Sequence, residues 1–213
     1  MTLTFFKNVW SQYFPPRPSF TEQHVGDQRG KIYLITGANS GIGYELVKIL
    51  YSSGATVYMA GRSEGSMLSV IQEIKAVNPV PQTPATLKFL YMDLSDLQSV
   101  RKAAAEFQAQ EQKLDVLWNN AGVGGAPEGT STMQGLECHI GTNCIAPLLF
   151  TQLLLPQLRA AAQDATQGTV RVIWFSSAMI DTHSPKGGID LQTIEAGKLT
   201  NPVSAYATSK AGN

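Results

Sequence analysis

The sequence predicts an α/β fold in which helices cover both faces of a doubly wound parallel sheet, giving three α/β/α layers. From Lys31 onward, short apolar runs alternate with amphipathic stretches, as in successive βα units around a parallel sheet. The apolar runs are nearly continuous, which is typical of strands buried on both faces. A glycine-rich turn joins the first apolar run to the first amphipathic stretch. These observations favour one domain over residues 30–213, preceded by an arm at residues 1–29.

The five strands are expected where the apolar runs fall, at residues 32–36, 56–60, 87–92, 115–118 and 170–176. Between them, apolar side chains recur at helical spacing. The first two helices would bury the stripes Ile42, Leu46, Ile49, Leu50 and Leu68, Ile71, Ile74.

The later helices are predicted in the same way. A capping box at residues 95–98, starting at Ser95, opens a third helix whose apolar side chains are Val100, Ala103, Ala104 and Phe107. A long fourth helix is expected from the 130s to about Leu158, with four leucines facing the core: Leu148, Leu149, Leu153 and Leu154. A last helix begins near Ser204, and the chain is expected to stop within it at Asn213, as a truncated domain would.

Composition excludes several classes of function. Lys plus Arg balance Asp plus Glu at 16 each, so no global field would recruit nucleic acid. Cys138 and Cys144 are too few for a disulfide framework or a zinc site, and we interpret them as reduced core residues of a cytoplasmic protein. The three histidines have no metal-ligand spacing, so no metal is expected. No run reaches the ~18–20 apolar residues that a membrane span requires.

The arm carries apolar side chains at helical spacing before Pro15 and Pro16: Phe5, Phe6, Val9, Trp10, Tyr13 and Phe14. One interpretation is an interfacial helix that makes a peripheral membrane contact or lines a substrate entrance. The other is an arm docked on its own domain. The second is favoured, because Lys7 alone gives little attraction to anionic lipid.

The glycine-rich turn after the first strand predicts a Rossmann-like dinucleotide site. Glycines there permit positive φ, let the backbone approach a pyrophosphate and let the helix pack close to the strand. The helix N-terminus would supply N–H groups to the phosphates. The residues expected to bind cofactor are Gly37, Asn39, Ser40, Gly41, Ile42 and Gly43.

The end of the second strand favours NADP over NAD. An NAD site would place an acidic side chain there to accept from the ribose 2′-hydroxyl. This chain has Gly61 followed by Arg62, whose guanidinium suits a 2′-phosphate. The alternative is a solvated surface arginine at the start of a helix.

Further motifs resemble those of the short-chain dehydrogenases/reductases. The first turn matches the family pattern as Thr36-Gly37-x-x-x-Gly41-Ile42-Gly43, and Asn119-Asn120-Ala121-Gly122 matches its NNAG motif, which lies against the cofactor. Asp93-Leu94 resembles the family's contact with the adenine ring. The residues that match its catalytic set are Asn143, Ser177, Tyr206 and Lys210.

The resemblance implies NADPH-dependent carbonyl reduction, or the reverse alcohol oxidation, on an apolar substrate. Tyr206 and Lys210 are one helical turn apart, and an ammonium beside a phenol stabilises the phenolate. Tyr206 would then exchange a proton with the substrate oxygen, while Ser177 donates a second hydrogen bond. The family assigns Lys210 a contact with the nicotinamide ribose, and Asn143 anchors a water relay to Lys210.

Two departures from the family pattern bear on this prediction. The wide gap from Ser177 to Tyr206 resembles the retinol-dehydrogenase-like branch, and its Ser-Ser pair selects Ser177 over Ser176. Family members also continue with two more strands, and they often form homo-oligomers through long helices. The alternative function is therefore an inactive fragment or a cofactor-binding interaction protein.

Overall fold

The fold is a five-stranded parallel sheet in the order β3-β2-β1-β4-β5. The computed structural model describes residues 10–11, 13–76, 81–195, 199 and 201–213. The strands are β1 (Ile32–Thr36), β2 (Thr56–Gly61), β3 (Thr86–Tyr91), β4 (Val116–Asn119) and β5 (Arg171–Trp174). All five predicted strands are present, although the fifth is shorter than expected.

Helices follow the strands in the expected alternation. They are α1 (Gly41–Tyr51), α2 (Glu64–Lys75), α3 (Leu97–Gln110), α4 (Ala146–Leu153), α5 (Leu155–Gln163), α6 (Ile180–His183), α7 (Leu191–Glu195) and α8 (Pro202–Ala211). A 3₁₀ turn at Glu22–His24 precedes the sheet, and a π-helical turn at Ile140–Ile145 runs directly into α4.

Two hydrophobic cores, one on each face of the sheet, confirm the three-layer prediction. Along β2, Val57 and Met59 pack into the core formed with α1 and α2. The alternate residues Tyr58 and Ala60 pack into the core formed with α3, α4 and α5. This alternation follows from the two-residue period of a strand.

The buried faces of the first two helices agree only in part with the predicted stripes. Ile42 is 64% exposed, and Ile49 and Leu68 are also exposed. The predicted Leu50, Ile71 and Ile74 are buried, and Val47 and Tyr51 of α1 and Met67 of α2 join them in the core. Ile42 cannot turn inward because it lies in the first turn of α1, where its side chain lines a cleft at the end of the sheet.

The predicted capping box of α3 is wrong. Asp96, not Ser95, is the N-cap, and its carboxylate accepts from the Gln98 backbone N–H at 2.9 Å. The Ser95 hydroxyl instead donates to Asp93 Oδ1 at 2.8 Å. The shift leaves Ser95 at the cleft, where it holds the Asp93 carboxylate.

The long fourth helix is broken in two. Its axis bends by 52° between Ile140–Leu153 and Leu155–Gln163. Pro156, in the first turn of α5, has no N–H to donate the backbone hydrogen bond that would continue the helix. Of the four leucines expected in the core, Leu154 is fully buried, whereas Leu148 is exposed. The last helix starts at Pro202, earlier than expected, because the Asn201 side chain caps it by accepting from Val203 and Ser204.

The arm is only partly docked on the domain. Phe5, Phe6 and Val9 lie outside the described residues. Trp10, Tyr13 and Phe14 are largely exposed, Tyr13 by 76%, so these three side chains do not dock as the favoured interpretation required. Val25 is packed against the core on the α1 side of the sheet.

Two further expectations concern cysteines and membrane spans. Cys138 and Cys144 are free thiols, as predicted, but both are half-buried rather than part of the core. Among the described residues, no single helix is long and apolar enough to cross a membrane. The two segments Ile140–Leu153 and Leu155–Gln163 reach that length and apolar character only together, and they are bent by 52° relative to each other.

Candidate active site

The main cleft opens where the strand order reverses. The chain passes from β1 outward to β2 and β3, then returns to β4 on the other side of β1. Turns leaving β1 and β4 therefore diverge at their carboxyl ends, and such a switch point is where open α/β sheets bind ligands. A cleft of about 600 Å³ lies there.

The glycine-rich turn forms the floor of this cleft. Gly37 and Gly41 have φ of 66° and 55°, in the left-handed region that favours glycine. A Cβ at Gly43 would lie 2.5 Å from the Gly37 carbonyl oxygen, so only glycine lets α1 pack this close to the turn. Ser40, the N-cap of α1, makes no side-chain capping bond. The first-turn N–H groups of α1 are thus left for a ligand.

Hydrogen bonds join the ends of β1 and β4. The Thr36 hydroxyl oxygen accepts from the backbone N–H groups of Asn120 and Ala121, at 3.0 and 2.9 Å. In return, Asn120 Nδ2 donates to the carbonyls of Thr36 and Gly37, at 2.8 and 3.2 Å. The Asn120 side chain therefore holds the glycine turn in place, while its backbone borders the cleft.

Most predicted cofactor residues line this one cleft. Those that do are Gly37, Asn39, Ser40, Ile42, Arg62, Asp93, Leu94, Asn120, Ala121 and Gly122. Gly41 and Gly43 shape the turn without lining the cleft, and Tyr206 and Lys210, also predicted to contact the cofactor, do not line it either. Sequence reasoning missed the further lining residues Thr36, Ala60, Gly61, Ser63, Ser66, Met92, Ser95, Val123, Cys138 and Thr142.

The missed residues fall into two groups. Most adjoin a predicted residue at the carboxyl end of a strand, and extending each motif by one or two positions would have found them. Ser66, Cys138 and Thr142 carry no such signal, because Ser66 lies within α2 and the other two belong to the helical segment before α4.

Polar side chains gather at the β2 end of the cleft. Asn39 Nδ2 donates to Ser66 Oγ at 3.0 Å, which joins the glycine turn to the first turn of α2. Arg62 is exposed beside them and lines the cleft together with Ser63. This group presents a guanidinium, an amide and hydroxyls at one place.

Lys210 and Asn143 meet beside Gly122, a lining residue on the β4 side of the cleft. A Cβ at Gly122 would lie 3.2 Å from both Lys210 Nζ and Asn143 Oδ1, so the two side chains meet at this glycine. Lys210 is 5% exposed, and burial lowers the pKa of its ammonium. Its Nζ donates to the Phe175 carbonyl at 2.7 Å, which fixes the ammonium beside the end of β5.

Asn143 lies in the π-helical turn and acts as a clamp. Its Oδ1 accepts from the Val123 N–H at 2.8 Å, and its Nδ2 donates to the Val123 carbonyl at 2.9 Å. The same Nδ2 donates to Ser209 Oγ at 3.0 Å, which ties α8 to this turn. π-Helical turns recur at functional sites because they displace a side chain from the regular ladder.

The two adjacent serines have different partners. Ser176 Oγ donates to the Lys210 carbonyl at 2.8 Å and so holds α8 against the end of β5. Ser177 Oγ accepts from the Met179 N–H at 3.2 Å, which leaves its own proton for another acceptor. This geometry supports the choice of Ser177 over Ser176.

Tyr206 is half-buried on α8, one turn before Lys210. A Cβ at Gly124 would lie 3.5 Å from Tyr206 Cε2, so the phenol ring lies against the chain that follows β4. The four predicted catalytic residues thus come from the π-helical turn, the segment after β5, and α8.

Comparison with known proteins agrees with this architecture. Residues 31–189 match the family model described as short chain dehydrogenase. The chain is 54% identical to the short-chain dehydrogenase/reductase iacJ of Pestalotiopsis fici, over 96% of this chain and 63% of that protein. It is 44% identical to a short-chain dehydrogenase/reductase of Phomopsis amygdali, over 97% of this chain and 61% of that protein.

A solved structure shows the same fold. The RhlG/NADP active-site complex of Pseudomonas aeruginosa is 26% identical, with a TM-score of 0.63 over 87% of this chain and 64% of that one. The chain spans about three-fifths of the length of the curated relatives described above. From its sequence match, its sheet order and its relatives, the chain belongs to the short-chain dehydrogenase/reductase family of oxidoreductases.

Proposed function

We propose that this protein uses NADP to interconvert an apolar aldehyde or ketone and the corresponding alcohol, with Tyr206 as the proton donor and acceptor. One observation carries the proposal: α8 carries Tyr206 and Lys210, and the Lys210 ammonium lies beside Gly122, which lines a cleft that begins at a glycine-rich helix N-terminus. The proposal therefore assigns proton transfer to α8, beside Gly122, and phosphate binding to the glycine turn and the start of α1.

The geometry of the glycine turn supports dinucleotide binding. A Cβ at Gly37 would lie 3.0 Å from Ala121, so the turn and the β4 loop approach too closely for any larger residue. The turn of residues 37–43 and the first turn of α1 would hold the pyrophosphate. Asp93, whose Oδ1 is held by Ser95 N–H and hydroxyl at 2.8 Å, would accept from the adenine amino group.

Arg62 and its polar neighbours support NADP rather than NAD. Arg62 directly follows β2 and lines the cleft, at the position where a carboxylate would repel a 2′-phosphate. Asn39 and Ser66, hydrogen-bonded to each other at 3.0 Å, offer further polar groups. The related RhlG structure is a complex with NADP, which favours the same choice.

The protein's own groups would handle the proton. When bound, the cofactor supplies or accepts the hydride. In the reducing direction, the Tyr206 hydroxyl gives its proton to the carbonyl oxygen, and the Ser177 hydroxyl donates a hydrogen bond to that oxygen as negative charge develops. The Lys210 ammonium, held by the Phe175 carbonyl, provides positive charge beside the phenol and a donor toward the nicotinamide ribose.

Replacing Tyr206 with Phe tests this function. We expect Tyr206→Phe to lower kcat by about 10²–10⁴-fold, since it removes the proton donor but keeps the ring. Turnover would be followed by loss of NADPH absorbance with a panel of apolar aldehydes and ketones, using the full-length protein. Tyr91→Phe, at an exposed tyrosine on the outer strand β3, is the matched control.

Two outcomes would decide against the proposal. Retention of more than a tenth of the wild-type kcat in Tyr206→Phe would remove Tyr206 from the chemistry. Tight NADPH binding without turnover of any panel member would favour the alternative, a cofactor-binding interaction protein.

A further inference from the structure

The loop that follows β4 forms a wall beside the Tyr206 ring. A Cβ at Gly124 would lie 3.5 and 3.6 Å from Tyr206 Cε2 and Cδ2, which are ordinary contact distances. The orientation of the phenol therefore depends on where this loop lies. The loop is residues 122–126, and it has no regular secondary structure of its own.

Two side chains hold this loop, one on each side of Gly124. Asn143 makes the two hydrogen bonds to Val123, at 2.8 and 2.9 Å. His139 Nε2 accepts from the Ala126 backbone N–H at 3.3 Å. His139 and Asn143 are four residues apart at the π-helical turn, so they project from the same side of that segment.

The hydrogen bonds of His139 define its tautomer. A backbone N–H can only donate, so Nε2 must be the unprotonated nitrogen. Nδ1 then carries the proton and donates to Glu137 Oε1 at 2.7 Å. The second carboxylate oxygen of Glu137 accepts from the Ile140 N–H at 2.8 Å, which fixes Glu137 to the start of the turn.

His139 also contacts the phenol directly. The His139 and Tyr206 ring centroids are 6.2 Å apart at an interplanar angle of 79°, an edge-to-face arrangement. The imidazole is 1% exposed, so solvent does not compete for its hydrogen bonds. None of the family motifs in the sequence includes this residue.

We propose that His139 is a positioning residue for Tyr206. Its hydrogen bond to Glu137 leaves Nε2 free to accept from Ala126, so that His139 anchors the loop there and packs against the phenol ring. This inference rests on the proposed function, in which Tyr206 transfers the proton. His139 itself does not line the cleft. Its loss would leave the loop held only at Val123, and the ring could turn away from the reacting oxygen.

Two substitutions separate the contacts of His139. In His139→Gln, the Oε1 atom can occupy the Nε2 position and still accept from Ala126. In His139→Asn, the shorter amide can still donate to Glu137 but cannot reach Ala126. We expect kcat to fall about tenfold in His139→Asn and to stay within about twofold of wild type in His139→Gln, because misplacing a reacting group costs mainly kcat.

The KM for NADPH and the melting temperature distinguish positioning from general damage. The KM for NADPH is expected to stay close to wild type in both variants. The melting temperature should stay close to wild type in His139→Gln and fall by no more than about 4 °C in His139→Asn, where the Ala126 N–H loses its acceptor. Equal kcat in His139→Asn and wild type would overturn the proposal, as would an equal loss in both variants or a loss that follows weakened NADPH binding. Absence of turnover in the wild type would instead overturn the proposed function.

A measurement on the wild-type protein covers the case in which a variant does not fold. Spectra of ¹⁵N-labelled histidine report which ring nitrogen carries the proton. We expect His139 to be protonated at Nδ1, with slow hydrogen exchange at the Ala126 amide. Protonation at Nε2, or an Ala126 amide that exchanges as fast as an exposed loop, would overturn the proposal whatever the variants do.

Discussion

The Thr36 side chain links the end of β1 to the residues that follow β4. Its hydroxyl oxygen accepts from the Asn120 and Ala121 N–H groups at the end of β4. Thr36→Val is an isosteric change that removes the hydroxyl. Both backbone N–H groups then lose their acceptor at a position that is shielded from water. We expect the free energy of unfolding to fall by about 2 kcal/mol, measured by urea denaturation. Thr36→Ser keeps the hydroxyl and should lose clearly less; equal losses would show that packing, not hydrogen bonding, is responsible.

Lys210 should make stability depend on pH. Burial lowers its pKa in the folded protein below the ordinary 10.5. Between these two values the unfolded chain binds a proton that the folded protein does not, so the contribution of Lys210 to stability rises with pH. Below the folded-state pKa, both states are protonated and the penalty for burying the ammonium is constant.

Lys210→Met isolates this effect. Urea denaturation of wild type and variant at pH 7.5 and pH 10 should show wild type gaining stability relative to Lys210→Met at the higher pH. The subtraction removes the opposing titrations of other groups, such as Tyr58, whose pKa is raised to about 12. A difference that does not change with pH would mean that the Lys210 ammonium titrates as it does in water.

At the scale of elements, the packing of α1 on β1 depends on one glycine. A Cβ at Gly43 would lie 2.5 Å from the Gly37 carbonyl oxygen and 2.6 Å from Asn120 Nδ2, so Gly43→Ala must push α1 away from the turn. We expect a loss of about 1–3 kcal/mol in unfolding free energy, together with weaker NADPH binding measured by cofactor fluorescence.

A second helical glycine provides the control. Gly65 lies in the first turn of α2, with nothing within 4 Å of an added Cβ. Gly65→Ala should leave NADPH binding unchanged and should not destabilise the fold, because alanine has the higher helix propensity. Similar behaviour of the two variants would show that the close approach at Gly43 has no energetic importance.

Motif spacing predicted the elements better than it predicted their faces. Periodicity indicated that α1 and α2 are amphipathic, but it misplaced Ile42, Ile49 and Leu68. The apolar periodicity of a helix fits two neighbouring choices of buried face almost equally well. The packing of the helix on the sheet decides which of them is buried. The break at Leu154 had a local cause in Pro156, which the sequence displayed and the prediction of one long helix overlooked.

At the scale of the whole molecule, cofactor binding should stabilise the fold, because the cleft joins turns after β1, β2, β3 and β4. NADPH at about 100 times its Kd should add about 2.7 kcal/mol. For a domain of this size, that corresponds to a rise in Tm of about 5–10 °C. Thermal unfolding of the full-length protein with NADPH or NADH at the same concentration measures this, and NADH should give the smaller rise.

Arg62→Ala is the control for cofactor choice. It should reduce the NADPH-dependent rise in Tm and leave that with NADH nearly unchanged, since only NADPH has the 2′-phosphate. An equal reduction for both cofactors would place Arg62 away from the 2′-position and would leave the choice of NADP unsupported.

The sequence by itself determined the order of strands and helices, the glycine turn and the residues that reach the cleft from strand ends. These features are local: apolar runs, turn glycines and motif spacing depend on neighbours along the chain. Tertiary structure alone decided that Lys210 bonds to Phe175, that Asn143 clamps Val123 and that His139 supports the Ala126 loop. Such contacts join residues far apart in sequence, and their partners are selected only when the helices pack on the sheet.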